Sequence, residues 1–332
     1  MSKKPSPKPK KPRKSKPQPK KGKKKYKIRN WHEYNEALVN RGKLFFWITQ
    51  DAIDGWYETE EPQKPGKPKK YSDLAIQTVL TIQQVFHLPL RQAEGLVKSI
   101  FERMGIALDV PDYSTLSYRG ETLKISIRVK KSANEPIHVV VDSTGIKIYG
   151  EGEWKVRMHG WSKHRTWKKL HIGFDEKTKE ILMGEVTGNN THDGEMLETI
   201  LDGISENISQ VSADGGYDTR KCYEDILKRR AKAVIPPQKN AKIWNHGNSK
   251  AERHQRDENL RRIRKVGRKK WKEESEYHRR SISENGMFRI KTVFGDRVPA
   301  RKFEGQRTQL LLRLRALNLM STLGMPESYV VG

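Results

Sequence analysis

From Leu74 to Phe86 the apolar residues Leu74, Ile76, Val79, Leu80, Ile82, Val85 and Phe86 recur at helical spacing, behind Ser72-Asp73, a pair suited to starting a helix. His87-Leu88-Pro89-Leu90 interrupts the pattern, Arg91 to Met104 predicts a second helix, and Asp112-Tyr113-Ser114-Thr115-Leu116 opens a third. Three short helices with tight turns fit a helix-turn-helix DNA reader and a purely structural bundle equally well. Upstream, Ala37, Leu38, Leu44, Phe45, Phe46, Trp47 and Ile48 predict a short helical prelude between Trp31 and Trp56, broken at Arg41-Gly42. A Pro/Gly/Lys linker, Glu61 to Lys70, separates it from the first long helix.

Beyond Pro136 the period changes. His138-Val139-Val140-Val141-Asp142 is an apolar, β-branched run ending in a carboxylate, which predicts a buried strand delivering an acid to a sheet edge. Lys169 to Phe174 and Ile181 to Val186 predict two more strands, joined by the turn Asp175 to Lys179. Thr191-His192-Asp193-Gly194-Glu195 reads as the cap of a helix running to about Ile204. Val211-Ser212-Ala213-Asp214-Gly215-Gly216 is a further strand ending in an acid, Thr219 to Arg230 is helical, and Ala233-Val234-Ile235 is a last short strand. The order βββαβαβ, with acids closing its first and fourth strands, predicts an α/β, ribonuclease-H-like domain: a mixed sheet flanked by helices. Thr308 to Leu319 reads as a Leu-rich core helix.

The stretch from Ser275 to Thr292 organises the rest. On a helix advancing about 100° per residue, Arg280, Glu284 and Lys291 fall at about 300°, 340° and 320° from Tyr277. A carboxylate, two cations and a phenol then share a narrow face. Met287 and Phe288 border it, so this face is expected to pack rather than stand in open water. An ordinary i,i+4 ion pair between Arg280 and Glu284 accounts for two of these residues. A carboxylate held between cations also suits a metal ligand beside phosphates.

Charge sharpens the choice. The 332 residues carry 67 Lys and Arg against 40 Asp and Glu, a formal net charge of +27. Residues 1–27 contain 14 Lys and Arg and no acid. That Lys/Pro-rich tail cannot bury a core and is expected to be disordered, touching phosphates without reading sequence. The remaining body is still basic, which points to a polyanionic partner such as nucleic acid. Between Lys239 and Lys272 lie 13 Lys and Arg and only 3 acids, with Arg268, Lys269 and Lys270 leading into the organising stretch; this segment is expected to track DNA. No run approaches about 18 apolar residues, so the expectation is a soluble, intracellular protein without a membrane span. A lone cysteine, Cys222, fits a buried small hydrophobe.

Asp142, Asp214 and Glu284 make a coherent set. In-line displacement at phosphorus needs an attacking and a leaving oxygen held together with the developing charge, and two divalent ions about 3.5–4 Å apart do this. Mg2+ takes hard oxygen ligands, and carboxylates from two strand ends and one helix supply them, with Mn2+ a substitute.

Tyr277, Arg280, Glu284 and Lys291 match the Y-(2)-R-(3)-E-(6)-K signature of bacterial insertion-sequence transposases without a gap. Val139-Val140-Val141-Asp142-Ser143-Thr144-Gly145 and Ala213-Asp214-Gly215-Gly216-Tyr217-Asp218 resemble the two Asp motifs of the same DDE enzymes, and Asp73 to Arg119 is similar to the N-terminal region of the insertion-sequence-five family. The likeness covers about residues 28–320 and leaves out the Lys/Pro tail. It implies a DDE transposase that binds terminal inverted repeats, cleaves to free 3′-hydroxyl ends and joins them to target DNA, as a homodimer or higher oligomer. Asp142, Asp214 and Glu284 would then be the catalytic metal ligands, Arg280 and Lys291 would hold DNA phosphates, and Tyr277 would line the site. The expected division is a tail (1–27), a helical DNA-end-binding domain (28–130), the ribonuclease-H-like catalytic domain (131–320) and a C-terminal tail (321–332).

Other residues compete for roles. His192 and Asp193 either join the acids or merely cap their helix. His159, His164 and His171 are irregularly spaced for zinc and lack cysteine partners. The loop from Trp154 to Trp167 is either a basic surface hairpin or a stacking platform for unpaired bases.

Overall fold

A computed structural model describes residues 25–59, 68–129, 135–148, 167–245 and 254–331. Residues 1–24 of the Lys/Pro tail, most of the linker, the loop carrying Trp154, His159, Trp161 and His164, and residues 246–253 of the basic segment lie outside them, whereas Lys25 to Lys27 of the expected tail are strand.

The central sheet follows the expected order βββαβαβ. Its strands are β2 (Ile137–Ile148), β3 (Trp167–Asp175), β4 (Ile181–Gly188), β5 (Ile208–Ser212) and β6 (Lys232–Val234), lying side by side as β4-β3-β2-β5-β6. β3 runs antiparallel to both neighbours, whereas β2, β5 and β6 are mutually parallel. The two-residue β7 (Arg297–Val298) extends the far half of β2. An outer pair, β1 (Lys25–Ile28) and β8 (Ser328–Val331), joins the two ends of the described chain.

Strand alternation sorts the cores. Val140, Ile172 and Phe174 face one side, against α4 (Asp73–Val85), α5 (Leu90–Met104), α6 (Tyr113–Gly120), α11 (Ser281–Phe294) and α12 (Phe303–Leu323). Val139, Val141 and Val211 face the other, against α7 (Leu197–Asp202) and α8 (Arg220–Lys228), where Cys222 is buried. The three early helices form where the sequence predicts them. Ser72 caps α4 by accepting from the Ala75 amide, Asp112 caps α6 by accepting from Ser114 and Thr115, and Gly105 closes α5 in the left-handed conformation. These helices share one core with α12 and the sheet. Arg313 on α12 donates to Gln84 on α4 at 2.7 Å, and the Asn318 amide bonds both backbone groups of Ile181 at the start of β4.

Three expectations are corrected. Asp142 does not end its strand: β2 continues to Ile148, because β3 stays paired with it as far as Lys147. His192 and Asp193 do not cap a helix with their side chains. A 3-10 turn, Asp193–Met196, opens α7, and Lys169 takes the Asp193 carboxylate instead. Residues 275–292 are not one helix. α10 (Arg268–Glu274) stops, Glu276 adopts a left-handed φ of 55°, Tyr277–Arg280 forms a 3-10 turn, and only then does α11 begin. No helix among the described residues is long and apolar enough to cross a membrane.

Candidate active site

Parallel pairing brings the first two acids together. Val140 pairs with Ser212 across β2 and β5; Asp142 lies two residues further along β2, on the face that Val140 shares, and Asp214 two residues beyond the end of β5. β5 stops at Ser212, so both carboxylates emerge where the parallel ladder ends. Asp214 turns the chain by accepting from the Gly216 amide at 2.8 Å. A Cβ on Gly216 would stand 3.0 Å from the same Asp214 oxygen, and the glycine keeps that approach open.

The third acid arrives on α11, which presses close to the sheet. A Cβ on Gly286 would come within 2.4 Å of the Phe174 ring on β3, so glycine is required at this crossing. Ser283, fully buried one residue before Glu284, donates to Oδ2 of Asp142 at 2.8 Å. Arg280 reaches the same Oδ2 with Nη1 at 3.1 Å, and its Nη2 bonds Glu284. Asp142 Oδ1 accepts from the Ser143 amide at 2.9 Å.

Electrostatics agree with this clustering. Burial raises the Asp142 pKa above the ordinary carboxylate value and Asp214 adds to the rise, while Ser283, the Ser143 amide and Arg280 oppose it. Burial works against the Arg280 charge, yet Tyr277, Asp142, Glu284 and Asp214 together raise its pKa. Tyr277 is pushed up chiefly by burial. Its ring lies 6.1 Å from that of Trp271, with Lys272 and Arg280 over its faces at 4.9 and 5.8 Å. Arg280, rather than a shared helical stripe, is thus what gathers Tyr277, Asp142 and Glu284.

The other expected residues scatter. Lys291 sits half-buried two turns beyond Glu284 and makes no ion pair among the described residues. Lys269 and Lys270 are exposed on α10, and Arg268 donates to the Gln238 carbonyl at 3.5 Å. Met287 is buried as expected, but Phe288 is 69% exposed, because its position on α11 is opposite the buried row Ser283, Met287 and Ile290.

Three features escaped the sequence reading, and a fourth, Asp193, had two readings there. Ser283 is one. Arg256, counted among the DNA-tracking cations, is instead buried: it pairs with Asp218 at 2.7 Å and stacks over Trp244 at 3.9 Å. With Asp257, which accepts from the Trp244 and Asn245 amides, it fastens the basic segment to the loop that follows Asp214. Asp193 lies 3.2 Å from Lys169 and 3.9 Å from Nδ1 of the buried His171, whose Nε2 meets Thr187 at 2.9 Å. Tyr217, fully buried beside Asp193, Asp142 and Asp214, has its pKa raised mainly by burial. Tyr217 carried a signal only as part of the second Asp motif, three residues after Asp214.

The donor set has the oxygen chemistry that a hard divalent cation takes. Three carboxylates offer oxygen ligands, and Asp142, whose charge is disfavoured by burial and by Asp214, is a group that a cation would stabilise. Among the described residues, no three His, Cys, Asp or Glu side chains close on a common point, and the Arg280 guanidinium spans Asp142 and Glu284.

Comparison with known proteins bears on the whole arrangement. An uncharacterized protein of Aquifex aeolicus (strain VF5) is 25% identical over 285 residues, covering 77% of this chain and 79% of that one. Among solved structures, a piggyBac transposase synaptic complex with hairpin DNA aligns at a TM-score of 0.37 and 10% identity, over 86% of this chain and 75% of that one. A pre-cleavage Mos1 transpososome aligns at 0.20 and 10%, over 83% and 85%. Likeness at those scores carries no further argument. A family model described as a transposase DDE domain matches residues 39–151, and a second of the same description matches residues 133–319. The second match spans more than half of the chain and includes Asp142, Asp214 and Glu284, and the chain belongs to the transposase DDE domain family.

Proposed function

We propose that this transposase binds the terminal inverted repeats of its own element, cuts to expose 3′-hydroxyl ends and joins them to target DNA, using Asp142, Asp214 and Glu284. One observation supports the reading above all: Val140 pairs with Ser212, each two residues before one of the first two acids, and Ser283 and Arg280 bond Asp142 from the helix that bears Glu284 and the turn before it. The strand order β4-β3-β2-β5-β6, with β3 antiparallel to its neighbours, supports a ribonuclease-H-like catalytic domain.

The chain's own groups divide the work. Asp142, Asp214 and Glu284 would hold two Mg2+ ions, or Mn2+ in their place. Such ions stabilise the attacking and leaving oxygens of an in-line displacement. Arg280, anchored on two acids, stands where it can turn to a phosphate oxygen near the scissile bond. Tyr277, packed between Trp271 and two cations, fixes the turn that delivers Arg280. Lys291 on α11 and Arg268, Lys269 and Lys270 on α10 supply further phosphate contacts on either side of that turn. The helices between residues 28 and 130 are assigned to end recognition. Joining two ends at one target would require at least a dimer.

The test starts from the DNA flanking the gene. A duplex carrying its inverted repeat is incubated with the protein in Mg2+. Cleavage at the repeat boundary with 3′-hydroxyl products, followed by joined products on added target DNA, is the expected result. Cutting without joining would reduce the reading to a nuclease, and no divalent-dependent cutting would remove it.

A further inference from the structure

Ser283 stands immediately before Glu284 on α11 and is fully buried. Its hydroxyl lies 2.8 Å from Oδ2 of Asp142 and 2.8 Å from the carbonyl oxygen of Arg280. A single hydroxyl hydrogen serves one acceptor at a time. A helical serine with no other role simply bonds back to a carbonyl of the preceding turn. Here the carboxylate is the stronger claimant, because hydrogen bonds to an ionised acceptor are roughly twice as strong as neutral ones. The proton therefore points across the gap between helix and strand.

Asp142 is then held on both oxygens. Oδ2 takes Ser283 and Arg280, and Oδ1 takes the Ser143 amide. With two lone pairs per oxygen, Oδ2 is filled and Oδ1 keeps one free. The two donors on Oδ2 are unlike. Arg280 reaches it at the end of a long side chain that also serves Glu284, whereas Ser283 reaches it with a two-atom side chain buried at the helix–sheet contact. Its sequence neighbour is the third acid. One short residue thus fixes the carboxylate of the first acid to the helix turn that bears the third.

Resting on the metal reading given above, we propose that Ser283 is a positioning residue of the active centre, which locks the Asp142 carboxylate so that Oδ1 is the oxygen offered to a divalent cation. It also sets the spacing between Asp142 and Glu284. Partners that orient a metal ligand in this way are worth about 10- to 100-fold in metal affinity.

The test is Mn2+ binding by the full-length protein, followed through the electron paramagnetic resonance signal of the free ion, for wild type, Ser283→Ala, Ser283→Thr and Asp142→Asn. Melting temperatures recorded alongside report folding. The expected result is a half-saturating Mn2+ concentration raised about tenfold or more in Ser283→Ala, with Ser283→Thr, which keeps the hydroxyl, close to wild type. Ser283→Ala decides alone if the extra threonine methyl is not accommodated. A folded Ser283→Ala protein that binds Mn2+ like wild type, while Asp142→Asn does not, overturns the positioning role. If wild type binds no Mn2+, or Asp142→Asn binds it unchanged, the metal reading of Asp142 falls instead.

Discussion

Replacing Arg280 with Ala removes the one guanidinium that bonds both Asp142 and Glu284. The Arg280 and Asp142 side chains are each 17% exposed, so water replaces the lost donor only in part. A hydrogen bond to a charged group is worth about 1.5–3 kcal/mol, and the Asp142 contact belongs in that range. The Glu284 side chain is 61% exposed and rehydrates on release, which limits its share to under about 1 kcal/mol. Together the loss is about 2–3 kcal/mol at neutral pH, or a fall in Tm of about 5 °C for a chain of this size. Burial already holds the Asp142 pKa above its ordinary value, and losing Arg280 raises it further. An acid whose folded pKa lies above its unfolded one stabilises fully only below the unfolded value, about 3.9, and loses that contribution as pH climbs through the folded value. The gap in Tm between variant and wild type should therefore narrow as pH falls from 7.5 toward about 4. Added Mn2+ should raise the Tm of Arg280→Ala more than that of wild type, because the ion supplies the missing positive charge. Scanning calorimetry across pH, with and without Mn2+, measures all three effects. A variant that melts with wild type at neutral pH, or a gap that widens on acidification, would refute the reasoning.

Three further outcomes follow from the packing and charge. Gly286→Ala drives a methyl into the Phe174 ring, and overpacking of this kind costs about 1–3 kcal/mol; Tm should fall and strand cleavage should fall with it as α11 is pushed off the sheet. Asp218→Asn leaves the buried Arg256 guanidinium without its charge partner, a loss of about 3–5 kcal/mol by chemical denaturation. Lys269→Ala and Lys270→Ala, both at exposed positions, should leave stability unchanged and each lower the slope of log affinity against log salt by about 0.9 for duplex DNA of any sequence.

The strands were legible because β-branched runs such as Val139 to Val141 alternate into two cores, a constraint that acts residue by residue. The extent of β2 was not, since Ser143 to Lys147 are mostly polar and become strand only through their partners on β3. The three acids were marked as candidates by the β-branched runs before Asp142 and Asp214 and by the spacing around Glu284. What holds them was not. Glu276 breaks the helix with a left-handed φ that no propensity forecasts, and Arg280 then gathers the site from a 3-10 turn. Ser283 looks like any polar helix residue until β2 is laid beside it. Arg256 shows the same limit in reverse: counting cations along the segment places it on a DNA track, yet Asp218 and Trp244 bury it. Local pattern fixes elements and candidate chemistry, whereas pair distances between Asp142, Ser283 and Arg280 arise only from long-range packing.

The central claim, that Asp142, Asp214 and Glu284 act as one centre, is tested most directly by single-turnover cleavage of an end-bearing duplex with Asp142→Asn, Asp214→Asn and Glu284→Gln. Each variant keeps the side-chain shape and removes one charge. The account predicts that all three bind the duplex nearly as wild type does and release no 3′-hydroxyl end in either Mg2+ or Mn2+. A Glu284→Gln enzyme that still cuts would contradict it and move the third acid elsewhere, to Glu276 first.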